Sequence, residues 1–382
     1  MVLTLTSACG RLGFETTSSI ATGDASMGDA ASGCSGIGFV PGPVISAGNV
    51  PTAIALADVN RDGSVDMLLV NANSSTLSIL LGLGGGTFVP EVTYPTGFSP
   101  SALAVVDLDR DGDLDVVVAD SGGLSLATAS VFLGNGDGTF ATRREYAVGM
   151  TALGVGAADL DMDGVPDVAV AVAGGVDVLH GNGNGTLAGQ IGYPCGARPA
   201  AVAIADFDGD LRPDLAVANQ NGNTVSVLRN TGAGFSGQVP YATGLDPVAV
   251  TAADVDADGD SDLVVMSAAS DKISILLGTG SGVFAPQVAY PTGMRPTAVL
   301  VRDLDSDGKL DLVTSNSLAN TISVLFGTAG GGFLPQVVYP TGRSPDDVAA
   351  GDFDRDGIVD LAVVNLGDNS VSILRGTCPS GP

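Results

Sequence analysis

DLDRDGDLD, residues 107–115, sets four aspartates at alternating positions around a single glycine. At an effective dielectric near 20, two unit charges about 4 Å apart repel by ~4 kcal/mol, so four carboxylates held this close need a cation among them. The pattern recurs. First aspartates stand at Asp58, Asp107, Asp159, Asp206, Asp254, Asp303 and Asp352, in steps of 49, 52, 47, 48, 49 and 49 residues. A fixed period in this range marks a repeat architecture. Within the second period, SALAVVDLD leads into the aspartate loop, LDVVVAD leads out, SVFLG follows a short turn, and GTFATRREYAVG follows the glycine-rich NGDG. The first strands are nearly continuous apolar runs, as strands buried on both faces require. Seven four-stranded units predict an all-β fold, a seven-bladed β-propeller.

Composition agrees. The chain has 382 residues, 55 of them glycine, with 45% hydrophobic and 5% aromatic residues and no tryptophan. That favours short strands and tight turns over long helices. The net charge of -27 excludes nucleic acid as a partner class and argues against an anionic membrane surface, since both need a basic face. Only Glu15, Glu91 and Glu145 of the 42 acidic residues are glutamate, leaving 42 − 3 = 39 aspartates, a bias toward short carboxylates placed for geometry.

In D-x-D-x-D-G-x-x-D, side chains 1, 3, 5 and 9 converge, the carbonyl of position 7 adds an oxygen, and the glycine at 6 permits the sharp turn. The side-chain ligands expected are Asp58, Asn60, Asp62 and Asp66; Asp107, Asp109, Asp111 and Asp115; Asp159, Asp161, Asp163 and Asp167; Asp206, Asp208, Asp210 and Asp214; Asp254, Asp256, Asp258 and Asp262; Asp303, Asp305, Asp307 and Asp311; and Asp352, Asp354, Asp356 and Asp360. The carbonyl ligands expected are those of Ser64, Asp113, Val165, Arg212, Asp260, Lys309 and Ile358. An all-oxygen, flexible shell suits calcium, up to seven ions, better than magnesium, which keeps its waters and demands tighter octahedral geometry. Asp-Gly also forms plain hairpin turns, but a turn needs no aspartate at four alternating places. The fourth loop, DFDGDLRPD, carries Gly209 at position 4 and Leu211 at position 6, and is expected to be the weakest site.

The chain ends predict how the ring closes. The last repeat stops after its third strand, VSILRGTCPSGP, while GFVPGPVISAG (38–48) matches the fourth-strand segment GTFVPEVTYPTG (86–97). The N-terminal strand therefore completes the last blade and removes two sheet edges. This alignment puts Cys34 and Cys378 at one hairpin tip, where a disulfide is expected, two free thiols being the alternative. Cys195 has no evident partner. Residues 10–37 are small and polar, as in a flexible linker; residues 38–378 form the propeller and 379–382 a short tail. MVLTLTSAC (1–9) resembles the end of a bacterial lipoprotein signal peptide, with Cys9 as the lipidated residue. It lacks a basic start and its apolar stretch is short, so a displaced start codon and an accidental likeness both stay open.

The loops, each followed by an LDVVVA-type strand and an LLGLGGGTF-type hairpin, resemble the FG-GAP and VCBS repeat proteins over about residues 38–378, with the seven-bladed propeller of integrin α subunits as the best-known architecture. The resemblance implies calcium loops on one face and ligand contact on the other. The GAP half of the signature and any inserted ligand-binding domain are missing, so integrin ligands do not transfer.

On the opposite face, Arg198, Arg295 and Arg343 are candidate contacts for an anionic or glycan ligand, whereas Tyr94, Tyr193, Tyr290 and Tyr339 are expected to pack between blades. His180, the single histidine, is expected to be an exposed surface residue. No triad, zinc cluster or phosphate loop is evident. The function expected is a secreted or surface-tethered, monomeric, calcium-stabilised module that recognises a glycan or protein ligand, extracellular or at the cell surface. It would meet the membrane only through a lipid on Cys9. The alternative is a calcium-dependent polysaccharide lyase or hydrolase.

Overall fold

The computed structural model describes residues 5–7, 36–123 and 126–378. Seven four-stranded antiparallel sheets form the blades of a propeller. Blade 1, for example, runs Pro51–Ala57, Asp66–Asn71, Thr76–Leu80 and Val92–Pro95 from the axis outward. The first strands contact one another in sequence and the last, Pro345–Gly351, contacts Pro51–Ala57, so the ring is closed. Among the described residues there is no α-helix, only 3-10 turns at Gln220–Gly222 and Ala268–Ser270. Among the described residues no helix is long and apolar enough to cross a membrane.

The seventh blade is built from both ends of the chain. Gly38–Ser46 pairs antiparallel with Ser370–Thr377, Phe39 opposite Gly376 and Ile45 opposite Val371, as the end-matching of the sequence predicts. A second, unforeseen pairing sets Leu5–Ser7 along Pro100–Val106 on the axial edge of blade 2. The remaining residues of the expected signal and linker segments, including Cys9 and Cys34, and the tail 379–382 lie outside the described residues.

Strand and turn chemistry explain this regularity. Six first strands begin with proline (Pro51, Pro100, Pro199, Pro247, Pro296, Pro345), followed by a register shift, which puts the residue lacking an N–H where the ladder is already broken. Apolar side chains of neighbouring blades then interlock. At the closing seam, Ile54, Met67 and Leu69 pack with Ala362, Val364 and Ile373. Fourth-strand tyrosines stitch five blades to the next edge-on: Tyr94 to Phe140, Tyr193 to Phe235, Tyr241 to Phe284, Tyr290 to Phe333, and Tyr339 to Phe39. Phe39 thus performs for blade 7 the role its counterparts perform elsewhere.

A buried polar pillar closes the second strand of most blades. The Asn316 amide donates to Thr321 Oγ1 at 3.3 Å and Ser323 Oγ at 2.9 Å, and Asn71, Asn219 and Asn365 repeat the arrangement. In each of these four blades the glycine of the incoming connection, Gly48, Gly196, Gly293 or Gly342, lies against this pillar. A Cβ on Gly293 would stand 2.6 Å from Asn316 Cγ, so only glycine fits there.

Candidate metal centres

Each aspartate loop joins the first and second strands of a blade and is folded by its own carboxylates. Position 1 accepts the amides of positions 5 and 6: Asp58 takes Asp62 N–H at 3.1 Å and Gly63 N–H at 2.7 Å, and Asp254, Asp303 and Asp352 do the same. Position 5 accepts the amide of position 7, from Ser64 to Asp62 at 2.7 Å through Ile358 to Asp356 at 2.8 Å. Position 2, a variable place in the motif, is an apolar anchor in every loop: Val59, Leu108, Leu160, Phe207, Val255, Leu304 and Phe353 are all buried.

Two residues per loop are left-handed, not one. Position 6 has positive φ, as its glycine predicts, but so does position 4, where Arg61, Arg110, Met162, Ala257, Ser306 and Arg355 have φ between 58° and 66°. The fourth loop keeps the same path with the glycine moved: Gly209 has φ 76° at position 4 and Leu211 takes φ 68° at position 6. Leu211 is therefore the strained residue of that loop.

The aspartate at position 9 is the buried hub. Asp262 accepts Val255 N–H at 2.8 Å and Gly278 N–H at 2.7 Å, tying the loop to the end of the third strand, and every blade repeats this pair of bonds. Burial pushes these carboxyls up despite the two amides, to about 7 for Asp115 and Asp262 and about 6 for Asp66, Asp214, Asp311 and Asp360, with neighbouring loop carboxylates adding to the rise. Asp167 is raised for the same first reason.

Position 3 shows that these residues fit a cation. Oδ1 of Asp208, Asp256, Asp305 and Asp354 is buried without a hydrogen-bond partner, as is Oδ1 of Asp107. Buried carboxylate oxygens left unpaired are costly unless a cation takes them. One ligand atom each from Asp107, Asp109 and Asp115, and from Asp254, Asp256 and Asp262, lie within 4.8 Å of one another; so do those of Asp159, Asp161 and Asp163, and of Asp206, Asp208 and Asp210. The structure thus brings positions 1 and 3 together with 5 or 9, an all-oxygen donor set.

Tethered cations modify individual loops. Arg212 and Lys309, at position 7, turn back onto Asp210 and Asp307. Position-4 arginines reach the next loop: Arg355 donates to Ser64 Oγ at 2.8 Å, and Arg61 meets Asp113 at 2.5 Å. The equivalent residue near the end of each third strand is Leu81, Leu133, His180, Arg229, Leu277, Phe326 or Arg375. Arg229 and Arg375 lie 3.6 and 3.8 Å from Asp208 and Asp354. His180 departs from the exposed position expected of it: its side chain is 30% exposed, and Nδ1 lies between Asp161 and Asp167.

On the opposite face, the connections between blades carry Arg198, Arg295 and Arg343 on exposed turns. They stand on the connections that enter blades 4, 6 and 7. The Leu245–Asp246 turn separates Arg198 from Arg295, and Arg343 is committed to Asp368 at 2.6 Å and to the Gly367 carbonyl at 3.0 Å. What the sequence did not reveal is the apolar side chain that follows the glycine in several of these turns: Phe98, Met150, Leu245 and Met294 are 63%, 67%, 56% and 58% exposed. The residue after each is left-handed (Ser99, Thr151, Asp246, Arg295), so the tips are held on tight, fixed turns. Cys195 is a free thiol pushed up to about 12 by burial, and Cys378 is disulfide-bonded.

The FG-GAP-like repeat family matches residues 58–118, 109–170, 159–217, 206–265, 254–314 and 303–363. No curated protein matches the chain by sequence. Among solved structures, BBS1N in complex with ARL6DN is similar at TM-score 0.63 and 13% identity, covering 90% of this chain and 98% of that one. An Agrocybe aegerita lectin that recognises non-reducing terminal N-acetylglucosamine is similar at TM-score 0.55 and 17% identity, covering 84% and 86%. A functionally unknown protein from Desulfotomaculum acetoxidans is similar at 0.54 and 12%, covering 82% and 99%. Identities this low speak for the fold alone.

Proposed function

The chain belongs to the FG-GAP-like repeat family, and from that premise we propose that it is a calcium-stabilised binding module that recognises its ligand on the face opposite the aspartate loops. The carrying observation is the ring of exposed apolar tips, Phe98, Met150, Leu245 and Met294, raised on fixed turns. Isolated exposed side chains need no explanation, but repeated apolar tips on one face are what a docking surface presents. Methionine and leucine suit a protein surface, adapting to its shape. A glycan is the second reading, favoured by the likeness to the lectin. Arg198 and Arg295 supply the charged groups beside the tips.

Calcium is the ion proposed because most loops offer only oxygens and leave buried carboxylate oxygens unpaired. Bound there, the ion supplies charge neutralisation, while the chain's own amides and position-9 aspartates fix the loop. The module is proposed to act as a monomer without catalysis, secreted or tethered at the cell surface through a lipid on Cys9. The disulfide at Cys378 supports an oxidising compartment.

The test compares the full chain with a Met150→Asp/Leu245→Asp/Met294→Asp variant in millimolar calcium, on a glycan array and in crosslinking to cell-surface proteins. Glycan signal that the variant loses supports the glycan reading. A crosslinked protein that the variant loses supports the protein reading. Binding of either kind that survives the triple change overturns the assignment of this face.

A further inference from the structure

The third loop differs from the other six in the atom facing its carboxylates. His180 Nδ1 lies 3.2 Å from Asp167 Oδ2 and 3.4 Å from Asp161 Oδ2, facing both carboxylates at once. These three residues form a group whose ligand atoms all lie within 4.8 Å of one another. With metal–ligand distances near 2.0–2.2 Å, two donors on one tetrahedral ion stand about 3.3 Å apart, which is the spacing found here. Asp167 is held in place by Leu160 N–H at 2.9 Å and Gly181 N–H at 2.8 Å, and His180 follows the strand Gly175–Leu179, so both donors sit on the ends of buried strands.

We propose that the third loop is a transition-metal site, in which Asp161, Asp167 and His180 Nδ1 bind a first-row divalent ion such as zinc, while the other loops take calcium. Nitrogen is a poor ligand for calcium and a good one for zinc, cobalt or nickel. At the same place blades 1, 2 and 5 carry Leu81, Leu133 and Leu277, and blades 4 and 7 carry Arg229 and Arg375, none of which can donate a lone pair to a metal. The leucines and arginines also show that the fold accepts either residue there. Because Asp161 belongs as well to the group formed with Asp159 and Asp163, the imidazole draws the ion inward from the outer carboxylates toward the buried Asp167. Binding at Nδ1 leaves Nε2 to carry the ring proton.

This inference rests on the loops being cation sites, and the experiment separates the two claims. Tag-free full-length protein in millimolar calcium is titrated with zinc by calorimetry, alongside His180→Leu and His180→Arg. His180 is the sole imidazole of the chain, so its ring-nitrogen NMR signals report the ligand without ambiguity. Wild type is expected to bind one zinc ion with a shift of the Nδ1 resonance. Both variants should lose at least about tenfold in zinc affinity, more than outer-shell changes commonly cost, and keep their calcium-induced rise in melting temperature. Cobalt should give d–d absorption bands in wild type that neither variant shows. An unshifted imidazole, or equal zinc affinity in wild type and His180→Leu, would overturn the proposal while leaving the calcium loops untouched. Failure of calcium to move any melting temperature would instead sink the broader premise. If His180 serves only as a tethered cation, His180→Arg should preserve stability and wild type should take up no zinc, which also overturns it.

Discussion

The carboxylate of Asp262 accepts the Gly278 amide at 2.7 Å, binding the exit of the fifth aspartate loop to the end of the third strand. Six other blades contain the same bond. It ties position 9 to a distant strand, whereas position 3 bonds only within its own loop and Asp256 leaves Oδ1 buried and unpartnered. Asp262→Ala should therefore cost about 3 kcal/mol even in chelator, since it orphans two buried amides. Asp256→Asn should cost stability in calcium but not in chelator. Urea denaturation of both variants in calcium and in EGTA checks the contrast; equal losses in both media would refute it.

Stability should depend on pH in opposite senses with and without cation. In the metal-free fold the position-9 carboxyls are raised to about 6 or 7, above an unfolded value near 4. Their stabilising contribution is thus fully present below the unfolded value and is lost as pH rises through the folded one. Melting temperature in excess chelator should fall between about pH 5 and pH 8. In excess calcium it should hold or rise over the same range, because the ion requires the ionised form. Parallel curves would count against cation binding at these residues.

Leu211 occupies a left-handed conformation at φ 68° with its side chain 80% exposed, so its side chain contributes little to compensate the strain. Leu211→Gly should stabilise the metal-free protein by about 1 kcal/mol and tighten the fourth loop's calcium affinity several-fold. Thermal unfolding and calcium titration of the variant measure both.

Gly293 has no room for a methyl group, since a Cβ there would stand 2.6 Å from Asn316 Cγ. Gly293→Ala should cost about 2 kcal/mol by displacing the Asn316 pillar from Thr321 and Ser323. Gly237→Ala, where nothing lies within 4 Å of the added carbon, should be nearly neutral and serves as the control.

Phe39 packs edge-on against Tyr339, with ring centroids 5.5 Å apart and an interplanar angle of 89°. Phe39→Ala should cost about 3 to 5 kcal/mol, as for a core aromatic, although it sits near the start of the described propeller. A loss below about 1 kcal/mol in denaturant titration would show that the closing strand is dispensable.

The sequence carried the blade count and the closure because both depend on regular spacing and on matching end segments. Aspartate alternation likewise marked the loops, since carboxylates crowded at period two have few other uses. It did not distinguish position 9 from positions 1 and 3. All are aspartate, and only the fold shows that Asp66 and its equivalents bind amides from a distant strand. Position 4 was equally silent: Arg61 and Met162 share a left-handed backbone that no residue preference announces. The place of His180 is not legible in the sequence, because its neighbours there are a strand and a hairpin, whereas its neighbours in space are the carboxylates of a loop more than a dozen residues earlier. The apolar tips were hidden inside turns whose prolines and tyrosines dominate the pattern.

The Thr377 hydroxyl donates to the Gly38 carbonyl at 3.1 Å across 339 residues, an encounter whose entropic cost is only about 5 kcal/mol because loop closure grows logarithmically with length. During synthesis Gly38–Ser46 leaves the ribosome before any blade and must wait for Ser370–Thr377, so blade 7 is completed last. Once it is, a protease that severs any one connection between blades yields two fragments still held together at blade 7. Neither terminus of the propeller is a place from which the molecule can unravel.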